Sequence, residues 1–271
     1  MIGSTGPLWA VIPLAVVAGF GAGMLSALLG IGGAVVTTPV VRMLGGTPIE
    51  AVGSTVPAII PGAISGAWRY AREGMVQWRL ALTLGATGAV AAVGGALVSD
   101  RVDGRILMVM TAGVMLWAGT SVIVKLRSSG SSSMDPAPDA ESGSEPAWLF
   151  VGILGVLAGF VAGLLGVGGG IILVPVLAGP LRVPMRRAVA SSLVAVATFQ
   201  IPALVTHVYL GHVNWALALP LMVGVVPGAQ LGAHLTVAAT DRTIRMLFGV
   251  LIVVLAVIYG STEVRGLLTG G

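Results

Sequence analysis

Long apolar runs separated by short polar stretches recur along the chain, and about 20 such residues are needed to cross the hydrocarbon of a bilayer. In the first half the runs are Trp9 to Leu29, a short one from Gly33 to Leu44, Ala51 to Tyr70 with interruptions at Pro57 and Pro61, Trp78 to Val98, and Ile106 to Val124. In the second half they are Trp148 to Leu165, a short one from Gly170 to Ala178, Ala188 to Tyr209, Trp215 to Leu235, and Ile244 to Tyr259. At about 1.5 Å per residue the two short runs cover only about half the bilayer. The pattern predicts an all-α polytopic membrane protein. No basic segment precedes the first run, which is therefore expected to stay as a permanent span.

The same order of runs appears twice because one stretch is written twice. Ala22-Gly-Met-Leu-Ser-Ala-Leu-Leu-Gly-Ile-Gly-Gly-Ala-Val-Val-Thr-Thr-Pro39 aligns without a gap on Ala158-Gly-Phe-Val-Ala-Gly-Leu-Leu-Gly-Val-Gly-Gly-Gly-Ile-Ile-Leu-Val-Pro175. Gly23, Gly30, Gly32 and Gly33 fall on Gly159, Gly166, Gly168 and Gly169. One inserted residue later, Ala51-Val-Gly-Ser-Thr matches Ala188-Val-Ala-Ser-Ser, and Gly74-Met-Val-Gln-Trp matches Gly211-His-Val-Asn-Trp. The expected organisation is a first membrane repeat at 1–126, a polar linker at 127–147 and a second repeat at 148–271. In each repeat Gly-x-Gly-Gly is expected to break a helix or make a re-entrant hairpin. Such a break inside hydrocarbon is tolerated only where protein or a watery cavity receives the freed backbone groups.

Charge bears on orientation. The stretch from Asp135 to Glu145 holds Asp135, Asp139, Glu141 and Glu145 and no base, and without it fourteen bases face six acids. If each repeat makes an odd number of crossings, the repeats are inverted. Arg69, Arg72, Arg79, Lys125, Arg127, Arg182, Arg186, Arg187, Arg242 and Arg245 then share one side, against Arg42, Arg101, Arg105 and Arg265. An even number puts the larger basic set outside, which the positive-inside rule disfavours. The expectation is therefore inverted repeats in the cell (plasma or inner) membrane, with the linker cytoplasmic and both termini outside.

Composition narrows the function classes. The chain is 56% hydrophobic and only 9% charged, with 41 glycines and no cysteine. Disulfides, thiolate nucleophiles and cysteine metal sites are absent. Zinc-spaced histidine pairs and a phosphate-binding Gly-x-x-x-x-Gly-Lys loop are also missing, and the single lysine is Lys125. No cofactor or metal is expected. Nucleic acid is not an expected partner, since no basic face with aromatic or groove-reading elements is present. The lipid bilayer is one, and a homodimer stays open.

The paired motif Leu28-Leu-Gly-Ile-Gly-Gly-Ala-Val-Val-Thr-Thr-Pro39 and Leu164-Leu-Gly-Val-Gly-Gly-Gly-Ile-Ile-Leu-Val-Pro175, each followed by Ala-Val-x-Ser-Thr or Ala-Val-x-Ser-Ser, resembles the sulfite exporter TauE/SafE family, also called toluene-sulfonate uptake permeases. The resemblance covers nearly the whole chain outside the linker. It implies a transporter of small sulfur-containing anions such as sulfite or sulfoacetate, with substrate and direction open. Ala34 stands where the second copy has Gly170, and Thr37-Thr38 where it has Leu173-Val174, so the two copies need not act alike.

An anion in a membrane needs donors, and a helix start supplies unpaired N–H groups with about half a positive charge. The expected substrate-binding set is Gly30, Gly32, Gly33, Gly166, Gly168, Gly169 and Gly170, with Ser54, Thr55, Ser191 and Ser192 as hydroxyl donors or caps and Gln200 on the pathway. Gln230 is a second amide inside an apolar run. Of the histidines, His234 lies inside a span and is expected to be the deeply placed one, with His207 near a helix end and His212 in a loop. A passive anion channel would use similar donors. An intramembrane serine enzyme finds only a loose echo in Ser54 and His234.

Overall fold

The structure, a computed structural model, describes residues 8–128 and 148–268. These fold into α1 (Leu8–Leu29), α2 (Ala34–Met43), α3 (Pro48–Arg72), α4 (Trp78–Ser99), α5 (Gly104–Ser128), α6 (Trp148–Leu165), α7 (Gly170–Ala178), α8 (Met185–Tyr209), α9 (Trp215–Ala238) and α10 (Asp241–Leu268). Among the described residues, α1, α3, α4, α5, α6, α8 and α9 are long and apolar enough to cross a membrane. The protein is an all-helical, multi-pass membrane protein. Large apolar side chains such as Val17, Val90, Leu149, Val205 and Val223 face outward, as a lipid environment allows. α5 runs to Ser128, two residues into the expected linker. The rest of that linker and the chain termini lie outside the described residues.

One expectation is corrected. Pro57 and Pro61 do not interrupt the third run, because α3 is a single helix of 25 residues. An interior proline removes a helical hydrogen bond and costs about 3 kcal/mol in an isolated helix. Here α3 lies at the centre, packed on α2, α8 and α9, with Val56, Pro57, Ala58 and Ile59 buried. Packing outweighs the local preference. Its start lies upstream of the expected Ala51, set by a capping box: the Thr47 hydroxyl accepts from the Glu50 N–H, the Glu50 carboxylate accepts from the Thr47 N–H, and Pro48 occupies the first turn. α8 passes through Pro202 in the same way.

Two faces orient the helices. The near face holds the start of α3, the α4–α5 turn and the α8–α9 turn: the Asn214 N–H donates to Ser54 Oγ at 2.8 Å, His212 Nε2 lies 3.1 Å from Asp100 Oδ1, and Gly104 abuts Pro48. The far face holds the end of α3, the α3–α4 turn, the start of α8 and the end of α9. There the Gln77 N–H donates to Ser191 Oγ at 3.0 Å, Arg69 meets His234, and Arg186 meets the Ala239 carbonyl. Hence α3 runs from near to far and α8 from far to near. By the same contacts α4 runs from far to near and α9 from near to far.

Small residues set the remaining contacts. α1 lies beside α9 in the same direction, with Gly19 against Leu221, Gly23 against Val225 and the Thr236 hydroxyl donating to the Leu28 carbonyl. α6 lies beside α4 in the same direction, with Gly155 against Leu84, Gly159 against Gly88 and Gly163 against Ala92. Arg79 sits over the Trp148 ring where these two helices begin. Close approach through glycine backbones is the usual solution for membrane helices, since lipid provides no hydrophobic drive to associate them. The principal partner of each outer helix therefore belongs to the other half of the chain.

Candidate functional site

Each glycine motif ends a helix by left-handed turns. Gly30, Gly32 and Gly33 have φ of 74, 87 and 84°, and Gly166, Gly168 and Gly169 have φ of 63, 88 and 64°. Residues with a Cβ rarely adopt these angles, so the motif composition follows from the backbone path. Gly33 folds back on Ser26 and Ala22 of α1, and α2 returns toward the near face, where Gly46 abuts Leu217 at the start of α9. In the second copy Gly169 folds back on Ala158 and Ala162 of α6, and α7 begins at Gly170.

The two breaks meet. A Cβ at Gly32 would lie 3.2 Å from the Gly168 Cα, and one at Gly170 would strike the Gly30 carbonyl. Residues 29–35 and 162–171 are all buried. Beyond the helices, the backbone hydrogen bonds of this region are donated by Gly30, Val36, Thr37, Gly166, Gly170, Ile172 and Leu173. Among the described residues, the N–H groups of Gly32, Gly33, Ala34 and Val35, and of Gly168, Gly169 and Ile171, find no protein acceptor. Two helix N-termini, whose first N–H groups find no protein acceptor among the described residues, thus start beside one buried junction.

Residues 15–259 match the sulfite exporter TauE/SafE family. The chain belongs to that family. It is 28% identical over 241 residues to a probable membrane transporter protein of Xylella fastidiosa, covering 87% of this chain and 89% of the relative. A probable membrane transporter protein of Methanocaldococcus jannaschii is 28% identical over 252 residues, covering 87% and 90%. One of Bacillus subtilis is 27% identical over 257 residues, covering 89% and 94%. No solved structure matches the chain. The protein is a membrane transporter of the TauE/SafE family.

In this transporter the hydroxyls predicted for the site serve the breaks crosswise. Thr55 Oγ1 donates to the Gly166 carbonyl at 3.2 Å and to Val52 at 2.9 Å. Ser192 Oγ donates to the Gly30 carbonyl at 3.0 Å and to Val189 at 2.9 Å. Each half thus holds the other half's glycine turn. Ser54 and Ser191 instead accept from the Asn214 and Gln77 N–H groups, fastening the α8–α9 and α3–α4 turns. These two sit away from the glycine junction and act as loop anchors.

Gln200 is fully buried, and neither its amide oxygen nor its nitrogen has a partner. It follows Val196 by one turn on the face of α8 that lies 3.4 Å from a Cβ at Gly32. Ser26 Oγ and Thr38 Oγ1 are also buried and unpartnered, and Ser26 borders Gly33 directly. Their equivalents in the second half are Ala162 and Val174, so the first break is the more polar of the two. Sequence reasoning passes over Ser26 and Thr38, and comparing the two copies position by position would have found them. Gln230, by contrast, is exposed and lines a groove of about 360 Å³ with Ile64, Ser65, Trp68, Arg69 and Arg72, away from the breaks.

The expectation for the histidines is reversed. His234 is exposed and meets Arg69 at the far face, whereas His207 and His212 are buried near the opposite face. The reason is helix rotation: Gly232 takes the side of α9 that packs on Met24 of α1 and Ala233 is buried, which turns His234 outward. Ser54 and His234 consequently stand at opposite ends of α3 and α9, too far apart to act together.

Proposed function

We propose that this transporter is a secondary carrier of small sulfur-containing anions, sulfite or an organosulfonate such as sulfoacetate. The anion binds between the two glycine breaks, and access alternates between the faces. The carrying observation is the burial of two helix N-termini against each other with unpaired N–H groups on both. Each N-terminus is equivalent to about half a positive charge. Pressing two together in an apolar interior is unfavourable, and a bound anion offsets it. Ser26, Thr38 and Gln200 add neutral donors on the side of the first break.

The opposite running of α3 and α8, and of α4 and α9, supports the reading of the halves as inverted repeats, the architecture in which discontinuous helices meet an anionic solute at the midplane. Described arginines at the far face are Arg69, Arg72, Arg79, Arg182, Arg186, Arg187, Arg242 and Arg245; the near face has Arg42, Arg101 and Arg105. The positive-inside rule then places the far face in the cytoplasm of a cell membrane. With Gly32 and Gly168 in contact the junction is closed, so entry of the anion requires the breaks to separate. That motion is the alternating step and distinguishes a carrier from an open channel or an enzyme.

The test is saturable counterflow of labelled sulfite and sulfoacetate in proteoliposomes, together with thermal stabilisation by a panel of sulfite, thiosulfate, sulfoacetate, taurine and sulfate. Saturable counterflow is expected. Flux that rises without saturation and shows no counterflow would make the protein a channel.

A further inference from the structure

A second polar cluster stands on the near face, beside the second break but apart from the glycine turns. Asp100 Oδ1 lies 3.1 Å from His212 Nε2, His212 Nδ1 lies 3.1 Å from His207 Nδ1, and His207 Nε2 lies 2.9 Å from the Gly163 carbonyl. The chain of contacts leads inward from a carboxylate that is 52% exposed, through His212 at 7%, to a fully buried His207. Gly163 is in the last turn of α6, just before the break at Gly166.

Hydrogen counting constrains this chain. The Gly163 carbonyl only accepts, so His207 Nε2 must carry a hydrogen; an ionised Asp100 only accepts, so His212 Nε2 must carry another. One of the facing Nδ1 atoms must carry a third. Two neutral imidazoles supply one hydrogen each, so closing all the contacts takes one proton more. The count is the same if Asp100 holds that proton as an acid. Removing it leaves two lone pairs facing each other, between the rings, between His207 and Gly163 or between His212 and Asp100, and that contact must open.

Neighbouring elements offer little competition for the proton. α6 and α7 carry no ionisable side chain. On α3 the Glu50 carboxylate is held by the Thr47 N–H and the Asn214 side chain. Beyond Asp100, Arg101 is exposed, Asp103 accepts from the Arg105 N–H, and Arg105 begins α5. On α2 the Arg42 guanidinium donates to the Gly46 carbonyl. The other half provides an internal comparison. Tyr70, at the position of His207, donates to the carbonyl of Ala27, the position of Gly163, at 2.7 Å. Met75 and Val237 stand in place of His212 and Asp100. The anchor is thus kept in both halves, but only the second continues from it through ionisable side chains to the near face.

We propose that Asp100, His212 and His207 form a proton-binding site that couples proton uptake from the near face to movement of the second glycine break. The coupling rests on the carrier reading above; the proton site does not. Protonated, the contacts tie the end of α6 to α8 and to the α4–α5 turn. Deprotonated, one contact of the chain opens: between His207 and Gly163 this releases the end of α6 outright, and at either other contact it uncouples His207 from the near face, so that the tie to α6 is no longer braced.

The site is read by 15N NMR of the full chain in nanodiscs, with His234→Gln so that only the pair remains. One imidazolium per chain is expected at pH 7, and its loss at that pH in Asp100→Asn. Two neutral rings in the parent together with an ionised Asp100, read from its 13C carboxyl shift, overturn the proton site whatever the protein carries. Coupling is read with labelled sulfite in proteoliposomes, where a difference of one pH unit is expected to change steady-state accumulation up to about tenfold for one proton per anion. A triple variant, Asp100→Val with His207→Tyr and His212→Met, carries the first half's residues at these positions. It is expected to lose the pH response while keeping counterflow at equal pH, and Asp100→Asn serves the same comparison if the triple variant does not fold. Counterflow blind to the gradient in the parent overturns the coupling. Absence of counterflow in the parent at every pH overturns the carrier reading instead, and the NMR result alone then decides the site.

Discussion

At the residue scale the glycine turns and their crosswise hydroxyls make separate predictions. Gly32→Leu and Gly168→Leu introduce a side chain where the opposite backbone already lies in contact, at φ near +90°, so each is expected to abolish flux while protein remains detectable in the membrane. Unchanged sulfite and sulfoacetate flux in both would remove the anion from this junction. Thr55→Val and Ser192→Ala each leave a buried break carbonyl without its donor from the other half. That omission costs about 1–3 kcal/mol, and thermal unfolding in detergent should show similar losses for the two. A loss in only one would show that a single break depends on this tie. Gln200→Leu keeps the volume and removes two unpartnered polar atoms, so it is expected to raise stability while weakening sulfite binding. Raised stability with unchanged binding would make Gln200 a bystander.

Elements are fixed by where backbones touch. Gly159 lies against Gly88 where α6 and α4 run together, so Gly159→Ala forces the helices apart and is expected to cost about 1–3 kcal/mol. A Cβ at Gly94, on the same α4, would meet nothing within 4 Å. Gly94→Ala should therefore be neutral or add up to about 1 kcal/mol through helix propensity. Equal effects at the two sites, measured by thermal unfolding, would contradict the packing. The extents of α6, α7 and α9 were legible from apolar run length and the Gly and Trp residues that begin them. α3 was legible as a helix but not as an unbroken one, because propensity penalises Pro57 and Pro61 and only the surrounding α2, α8 and α9 overrule it.

For the whole molecule, the main partners of α1, α6, α3 and α5 are α9, α4, helices α8 and α9, and α10. Nearly every large contact joins the two halves. Residues 1–128 and 148–271 expressed as separate chains are therefore expected to assemble when made together, and each alone to be degraded. Co-purification through a tag on one chain, with recovery of sulfite counterflow, checks this. A half that is stable and monodisperse by itself would mean that the interface is weaker than its extent implies.

The sequence by itself determined the class and the family, and it displays the paired glycine motif, since run length and glycine spacing are local properties read along one chain. It also named Thr55 and Ser192, as caps or as donors to a ligand. Only the tertiary structure decided that they serve the opposite half's carbonyls and that Ser54 and Ser191 fasten turns. It likewise decided that His207 and His212 are buried while His234 is not. The physical reason is that the partners of these hydroxyls come from residues more than a hundred positions away, and helix rotation about its axis follows from which neighbours it meets. Neither is encoded in the order of apolar and polar residues.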